Sequence, residues 1–139
     1  RAMMKVHEHR PELHQMLDVE IAAPSLYRVA VTALAEQTGL ALDLSGQPMD
    51  QPHTADPAVL AAWKLVYQNP NDHWSLYELA EKLVDLEDYF RRWRFNHVTT
   101  VERIIGMKRG TGGTSGVGYL RRMLEVELFP ELWQVRGQL

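Results

Sequence analysis

The sequence contains no cysteine among its 139 residues. Disulfide bonds, thiolate metal sites and a cysteine nucleophile are therefore excluded, and the composition fits a reducing compartment. No apolar run approaches the ~20 residues that a membrane-spanning helix needs, and we recognise no signal peptide. These absences lead us to expect a cytoplasmic protein that does not enter a membrane.

Strong charge of either sign is also missing. The formal net charge is −3, so no overall field attracts nucleic acid or anionic lipid. Apolar residues make up 45% and charged residues 24% of the chain, which is the profile of a soluble globular protein. The length suits a single domain, and we expect residues 1–139 to belong to one.

Helical periodicity is what the sequence has in abundance, and we find no convincing strand-like alternation. Caps, glycines and prolines mark the boundaries of the expected helices. These helices are Glu12–Ile21, Leu26–Leu34 with a stop at Gly39, a helix that begins at Asp56-Pro57 and stops near Asn69-Pro70, Trp74–Lys108, Val117–Phe129, and a short one from Pro130. The pattern predicts an all-α fold, a helical bundle around one long central helix.

The expected long helix has no proline, and its first glycine is Gly106. Its apolar residues recur at helical spacing. They are Leu79, Leu83, Leu86, Phe90, Trp93, Val101 and Ile104. On this reading Phe90 and Trp93 face inward and Arg91 and Arg92 outward. A helix of ~30 residues is ~45 Å long, so we expect it to pack against more protein than this chain provides.

His97 continues that apolar stripe, one turn after Trp93 and one turn before Val101. One interpretation is a core histidine with satisfied ring nitrogens. The other is a single axial ligand to haem iron, with Trp93 and Val101 pressed on the porphyrin face. No second histidine lies three or four residues away, so the spacing alone makes no zinc site. The cluster of His7, His9 and His14 is read as a solvated terminus.

The segment KRGTGGTSGVGYLRR, residues 108–122, has five glycines in fifteen residues. It matches neither the Walker pattern nor G-x-G-x-x-G. Its backbone donors and the hydroxyls of Thr111, Thr114 and Ser115 are suited to close over an anionic or zwitterionic group. A plain surface linker is the alternative. The segment FRRWRF, residues 90–95, mixes arginine with aromatics as nucleic-acid binders do, but a solvated helical face explains it better.

The longest familiar stretch is WRFNHVTTVERIIGMKRGTGGTSGVGYLRRMLEVELFPELWQVR, and it closely resembles the C-terminal half of tryptophan 2,3-dioxygenases. The matching motifs are W-R-(F/Y)-x-H, the glycine-rich loop, the Y-L-R helix and F-P-E-(L/I)-(W/F), in order and at matching spacing. Upstream, APSLY at residues 23–27 and EKLVDLEDYFRRWRF at residues 81–95 also look like the family. The resemblance covers nearly all 139 residues.

The resemblance implies an all-α homotetramer with haem b. The reaction it implies inserts both oxygen atoms of O₂ across the indole C2–C3 bond of L-tryptophan, giving N-formylkynurenine, the first step of the kynurenine route. His97 matches the family's proximal iron ligand. Thr111 matches the loop threonine that contacts the ammonium and carboxylate of the substrate. The glycines that let the loop close are matched by Gly110, Gly112 and Gly113.

The family's distal half, which holds its distal histidine and its carboxylate-binding arginine, has no equivalent in these residues. We therefore expect residues 1–139 to form the C-terminal half of a dioxygenase-like domain, with no catalytic residue beyond the haem ligand and the substrate loop. The N-terminal half would be a partner, on the same or a separate polypeptide, and the start at Arg1 is compatible with a clipped or split chain. Two other functions stay open: a haem-dependent hydroxylase of an aromatic amino acid or indole, and a non-catalytic helical interaction module.

Overall fold

Local capping signals set the ends of the first two helices. The computed structural model describes residues 24–47, 54–106 and 116–139. Helix α1 is Leu26–Thr38, and its N-cap Ser25 accepts a hydrogen bond from the backbone N–H of Arg28. Gly39 ends α1 in the left-handed region at φ 71°, where its N–H donates to the carbonyl of Ala35. The predicted stop at Gly39 is confirmed.

Helix α2 is Pro57–Gln68, and its start follows the expected cap. The carboxylate of Asp56 accepts from the backbone N–H groups of Ala58 and Val59. Proline occupies the first helical position, where no backbone donor is needed. Asn69 closes the helix.

Helix α3, Trp74–Ile105, has 32 residues and a length of about 48 Å. It ends at Gly106, which has φ 58°, a value that side chains disfavour. Helices α4, Gly116–Met123, and α5, Pro130–Arg136, complete the described chain. All regular structure in the described ranges is helical, so the all-α prediction is confirmed. None of these helices has both the length and the apolar character to cross a membrane. The predicted helix Glu12–Ile21 lies outside the described residues.

The hydrophobic core joins α1, α2, α5 and the first half of α3. Each helix contributes residues at helical spacing. The fully buried or nearly buried members are Tyr27, Ala30, Val31, Leu34, Val59, Ala62, Trp63, Val66, Leu76, Ala80, Leu83, Phe129 and Leu132. Helix α4 packs on the second half of α3 instead. The core therefore lies at one end of the long helix, and the other end has a single covering helix in the described chain.

A buried carboxylate links three helices of this core. Glu131 of α5 is 1% exposed, and its Oε1 accepts from the hydroxyl of Tyr27 at 2.7 Å and from the backbone N–H of Asp56 at 2.8 Å. Burial, and then this hydrogen bond, raise the pKa of the Tyr27 hydroxyl. The phenol therefore stays protonated and keeps donating at every physiological pH.

Candidate functional site

His97 lies in the second half of α3, on an exposed face. Phe90, Trp93 and Ile104 share that face at helical spacing, and Trp93 is 60% and Ile104 76% exposed. Large apolar side chains are seldom gathered in such an exposed row unless something else covers them. We call Phe90, Trp93, His97, Val101 and Ile104 the histidine face.

The imidazole of His97 is stacked on the indole of Trp93. The ring centroids are 5.1 Å apart and the planes differ by 4°. This parallel contact holds the imidazole plane in one orientation while the ring nitrogens stay at the edge of the stack. Among the described residues we find no hydrogen-bond partner for either nitrogen. The ring is thus oriented and still accessible to a ligand.

Val101 lies one turn after His97, as predicted, and is half-buried. The neighbouring Val98 is 5% exposed and turns to the side of α3 on which α4 packs. The side of α3 that contacts the rest of the described chain is therefore adjacent to the histidine face and separate from it.

The predicted inward orientation of Phe90 and Trp93 is wrong in this chain, whereas Arg92 faces outward as predicted. Phe90 is 45% exposed and Trp93 is 60% exposed, whereas Arg91 and Arg94 turn toward the protein. Arg91 stacks over the ring of Trp133 at 4.0 Å and pairs with Glu127 at 3.2 Å. The aromatic residues face outward because the buried side of α3 is already occupied by α4, α5 and their connection.

Arg94 holds the end of α4 against α3. Its Nη1 donates to the carbonyl of Met123 at 2.9 Å and to that of Val126 at 2.8 Å. Met123 is the last residue of α4, where carbonyls lack intrahelical donors, and Val126 lies three residues beyond that helix end. Burial lowers the pKa of the Arg94 guanidinium, and the negative charge of Glu87 opposes that shift.

Glu87, seven residues before Arg94 on α3, also bonds backbone groups of another segment. Its side chain is fully buried and accepts from the backbone N–H groups of Leu128 at 2.7 Å and Phe129 at 2.9 Å. These donors directly precede α5. At the far end of α3, Glu102 pairs with Arg121 of α4. Sequence reasoning missed this row of charged residues because it followed the apolar stripe. The signal was available in the spacing of Leu76, Ala80, Leu83 and Glu87, which are all buried.

The donor set of the histidine face fits haem. In the described residues no three histidine or carboxylate side chains come close enough together to hold a bare metal ion. A porphyrin supplies four of the iron ligands itself and asks the protein for one axial imidazole and an apolar surface. His97 could supply the first, and the exposed apolar row could supply the second.

The predicted substrate-binding residues Gly110, Thr111, Gly112 and Gly113 lie outside the described residues. The chain that leads to them is described on both sides. Helix α3 ends at Ile105 and α4 begins at Gly116, and α4 packs on α3. The segment therefore starts and finishes at the end of α3 that carries His97.

The comparison with protein families agrees with this geometry. Residues 52–139 match the family model of tryptophan 2,3-dioxygenase. The chain belongs to this family. The tryptophan 2,3-dioxygenase of Ruegeria pomeroyi is 72% identical over 138 residues, which are 99% of this chain and 50% of that protein. That of Bradyrhizobium diazoefficiens is 61% identical over 137 residues, 97% of this chain and 49% of that protein.

A third relative, the tryptophan 2,3-dioxygenase of Pseudomonas fluorescens, is 57% identical over 140 residues, which cover 99% of this chain and 49% of that protein. The chain therefore spans about half the length of the curated relatives it matches.

Proposed function

We propose that this chain forms the proximal half of a haem-dependent tryptophan 2,3-dioxygenase. The enzyme would insert both atoms of O₂ across the indole C2–C3 bond of L-tryptophan and release N-formylkynurenine. The observation that carries the proposal is His97, a lone imidazole oriented by Trp93 on an exposed aromatic face. Membership of the tryptophan 2,3-dioxygenase family supports it.

His97 would be the axial ligand, with Trp93 and Val101 against the macrocycle. The haem, when bound, supplies the iron that activates O₂. The ligand must be the neutral imidazole, which offers one nitrogen to the iron and donates from the other. Stacking on Trp93 restricts rotation of the imidazole before any ligand arrives. The protein side of the site is therefore preorganised, and less entropy is lost when the cofactor binds.

Thr111 and the glycines Gly110, Gly112 and Gly113 would bind the amino-acid head group of the substrate. Their match to the family loop supports this role. A hydroxyl and backbone N–H groups suit a carboxylate, and contacts to the head group would place the distant indole carbon beside the iron. Excluding water from the site would strengthen these polar contacts. General acid–base chemistry from this half is not required.

The part of the family's fold that these residues do not contain would cover the histidine face. Exposure of Phe90, Trp93 and Ile104 supports a partner there. We propose that the partner is the N-terminal half of the same domain, on the same or a separate polypeptide, and that the assembly is a cytoplasmic homotetramer. The lack of cysteine is consistent with that compartment.

Replacing His97 tests the proposal. We expect His97→Ala to lose stable haem binding, or to bind haem only when free imidazole is added, because no other described side chain on the histidine face is a strong iron ligand. Absorbance in the Soret region measures it. His73→Ala is the matched control, since His73 precedes α3 and lies far from the face. Equal haem content and equal spectra in the wild type and His97→Ala would contradict the assignment.

The product identifies the reaction. Haem-loaded protein that contains both halves of the domain, incubated with L-tryptophan and O₂, should give a product that has gained two oxygen atoms. A gain of one oxygen atom would point to a hydroxylase and contradict the dioxygenase proposal, as would the absence of any product from such a two-half, fully haem-loaded sample.

Thr111→Ala should weaken tryptophan binding by about 1–3 kcal/mol, the usual cost of leaving a buried polar partner unsatisfied. Haem content should stay the same, because the proposed iron ligand lies on α3. A tryptophan titration followed by the haem spectrum measures both. Thr99→Ala is the control, because within the described chain the exposed Thr99 hydroxyl donates to the carbonyl of Phe95 in its own helix. Equal affinities in Thr111→Ala and the wild type would remove Thr111 from the site.

A further inference from the structure

The rotation of α3 about its axis determines where His97 points. Side chains extend about 5–6 Å from a helix axis, so a rotation of about 10° moves them by about 1 Å. Misplacement on that scale is enough to cost about 100-fold in rate. Some contact on α3 must therefore hold its rotation at the level of His97, and the core at the other end of the helix is several turns away.

Arg94 is the candidate for that contact. It lies three residues before His97, almost one full turn, and faces the adjacent side of the helix. Its guanidinium bonds two carbonyls, of Met123 and Val126, which belong to a different segment of the chain. Two hydrogen bonds from a charged planar group constrain direction as well as distance.

The contacts on either side of Arg94 are less able to do this. Glu102 also reaches α4, but it pairs with a long and exposed side chain, that of Arg121. Exposed pairs of this kind hold geometry weakly. Glu87 accepts hydrogen bonds from the backbone before α5, but it lies ten residues before His97 and sets the rotation of α3 nearer the core. Arg94 alone among the three bonds the backbone of another segment at the level of the histidine.

We propose that Arg94 is a positioning residue for His97: by binding the carbonyls of Met123 and Val126 it sets the rotation of α3 at the histidine face and thereby the orientation of the imidazole toward iron. This inference rests on the proposed haem ligation by His97. It predicts that losing the guanidinium changes the iron–imidazole bond even though Arg94 does not touch the cofactor.

The test compares Arg94→Met, Arg94→Lys and Arg92→Met in the haem-loaded protein. Methionine keeps the length of the stem and removes both hydrogen bonds, whereas lysine keeps the charge without the planar fork. Arg92→Met is the matched control, because Arg92 lies two residues away on the exposed side and pairs only with Asp88 among the described residues. The readouts are the iron–histidine stretching band in the resonance Raman spectrum, haem affinity, and kcat and KM for L-tryptophan.

We expect Arg94→Met to shift or broaden the iron–histidine band and to lose about 10–100-fold in haem affinity or kcat, as outer-shell changes at metal sites do. KM should change much less than kcat. Arg94→Lys should fall between the wild type and Arg94→Met, and Arg92→Met should match the wild type. Added guanidinium ion should restore part of the band of Arg94→Met.

Three results would overturn the inference. An unchanged band, haem affinity and kcat in Arg94→Met, with or without a fall in Tm, would show a purely structural role. If Arg94→Met does not fold, a wild-type band in Arg94→Lys would count against it in the same way, since the lysine side chain is one bond shorter and its ammonium ends short of the position of Nη1, which makes both bonds. A wild type that binds no haem would instead overturn the proposed function itself, and the inference with it.

Discussion

Two buried carboxylates organise the described chain at the level of single residues. Glu131 accepts from Tyr27 and Asp56, and Glu87 accepts from the two backbone N–H groups that precede α5. A fully buried charge is tolerated when hydrogen bonds and opposite charge compensate the lost hydration. Glu87 has hydrogen bonds and opposite charge nearby, because Arg91 lies 3.8 Å away and the Arg94 guanidinium also interacts electrostatically with it.

Replacing Glu87 by glutamine should lower the free energy of unfolding by about 1–3 kcal/mol. The amide can accept from only one of the two backbone donors and presents its own N–H₂ to the other. Chemical denaturation of the haem-free protein measures the change. Glu125→Gln is the control, because Glu125 is exposed. Equal stabilities of Glu87→Gln and the wild type would show that the two N–H groups find other acceptors.

Neither carboxylate could be predicted as buried from its own residue type. Glutamate is almost never fully buried unless it is paired, so the plain reading of a charge on a helix is a solvated one. The partners of Glu87 are 41 and 42 residues away along the chain. A contact of that sequence separation leaves no local pattern.

Elements, in contrast, were predicted well where their boundaries depend on neighbours in sequence. Asp56-Pro57 and Gly39 each act within one turn of the helix they limit, and the structure confirms both, whereas the long helix ends at Gly106 and not at the predicted Lys108. Which face of a helix is buried was predicted less well. In α1, Ala30 and Leu34 are buried as expected, but Leu26 and Val29 are about half exposed, because Tyr27 and Val31 take the positions against the core.

The cap of α2 gives a prediction at this scale. Asp56→Ala should lower the free energy of unfolding by about 1 kcal/mol, because the side chain satisfies the N–H groups of Ala58 and Val59. Thermal unfolding measures it as a lower Tm. Asp56→Asn should retain most of the stability, since asparagine caps about as well. Equal losses in the two variants would show that the charge matters rather than the cap.

The whole molecule has a well-packed end and a sparsely covered end. The core gathers around the first half of α3, while the second half carries the histidine face outward. For the same reason the function of this face could not be derived from periodicity. An apolar stripe predicts burial but does not identify the group that covers it, and the proposal of haem rests on the motif around His97.

The 139-residue chain expressed by itself should therefore associate. Exposed Phe90, Trp93 and Ile104 form part of an apolar surface of the kind that marks interfaces. Sedimentation should show species larger than the monomer, and a dye that binds apolar surface should fluoresce. A chain that stays monomeric, binds no dye and unfolds cooperatively would contradict the view that more protein covers this face. Phe90→Ser with Ile104→Ser should reduce the association and serves as the internal comparison.

The bonds of Glu131 also set an order of events during synthesis. Its two partners, Asp56 and Tyr27, are 75 and 104 residues earlier in the chain. A ribosome adds about 5–20 residues per second, so roughly 5–20 s pass between the synthesis of Tyr27 and that of its acceptor Glu131. During that interval α1 and α2 lack the packing surface that α5 provides. These contacts can form only after α5 has left the exit tunnel, so this short helix is the last piece of the described core to be synthesised.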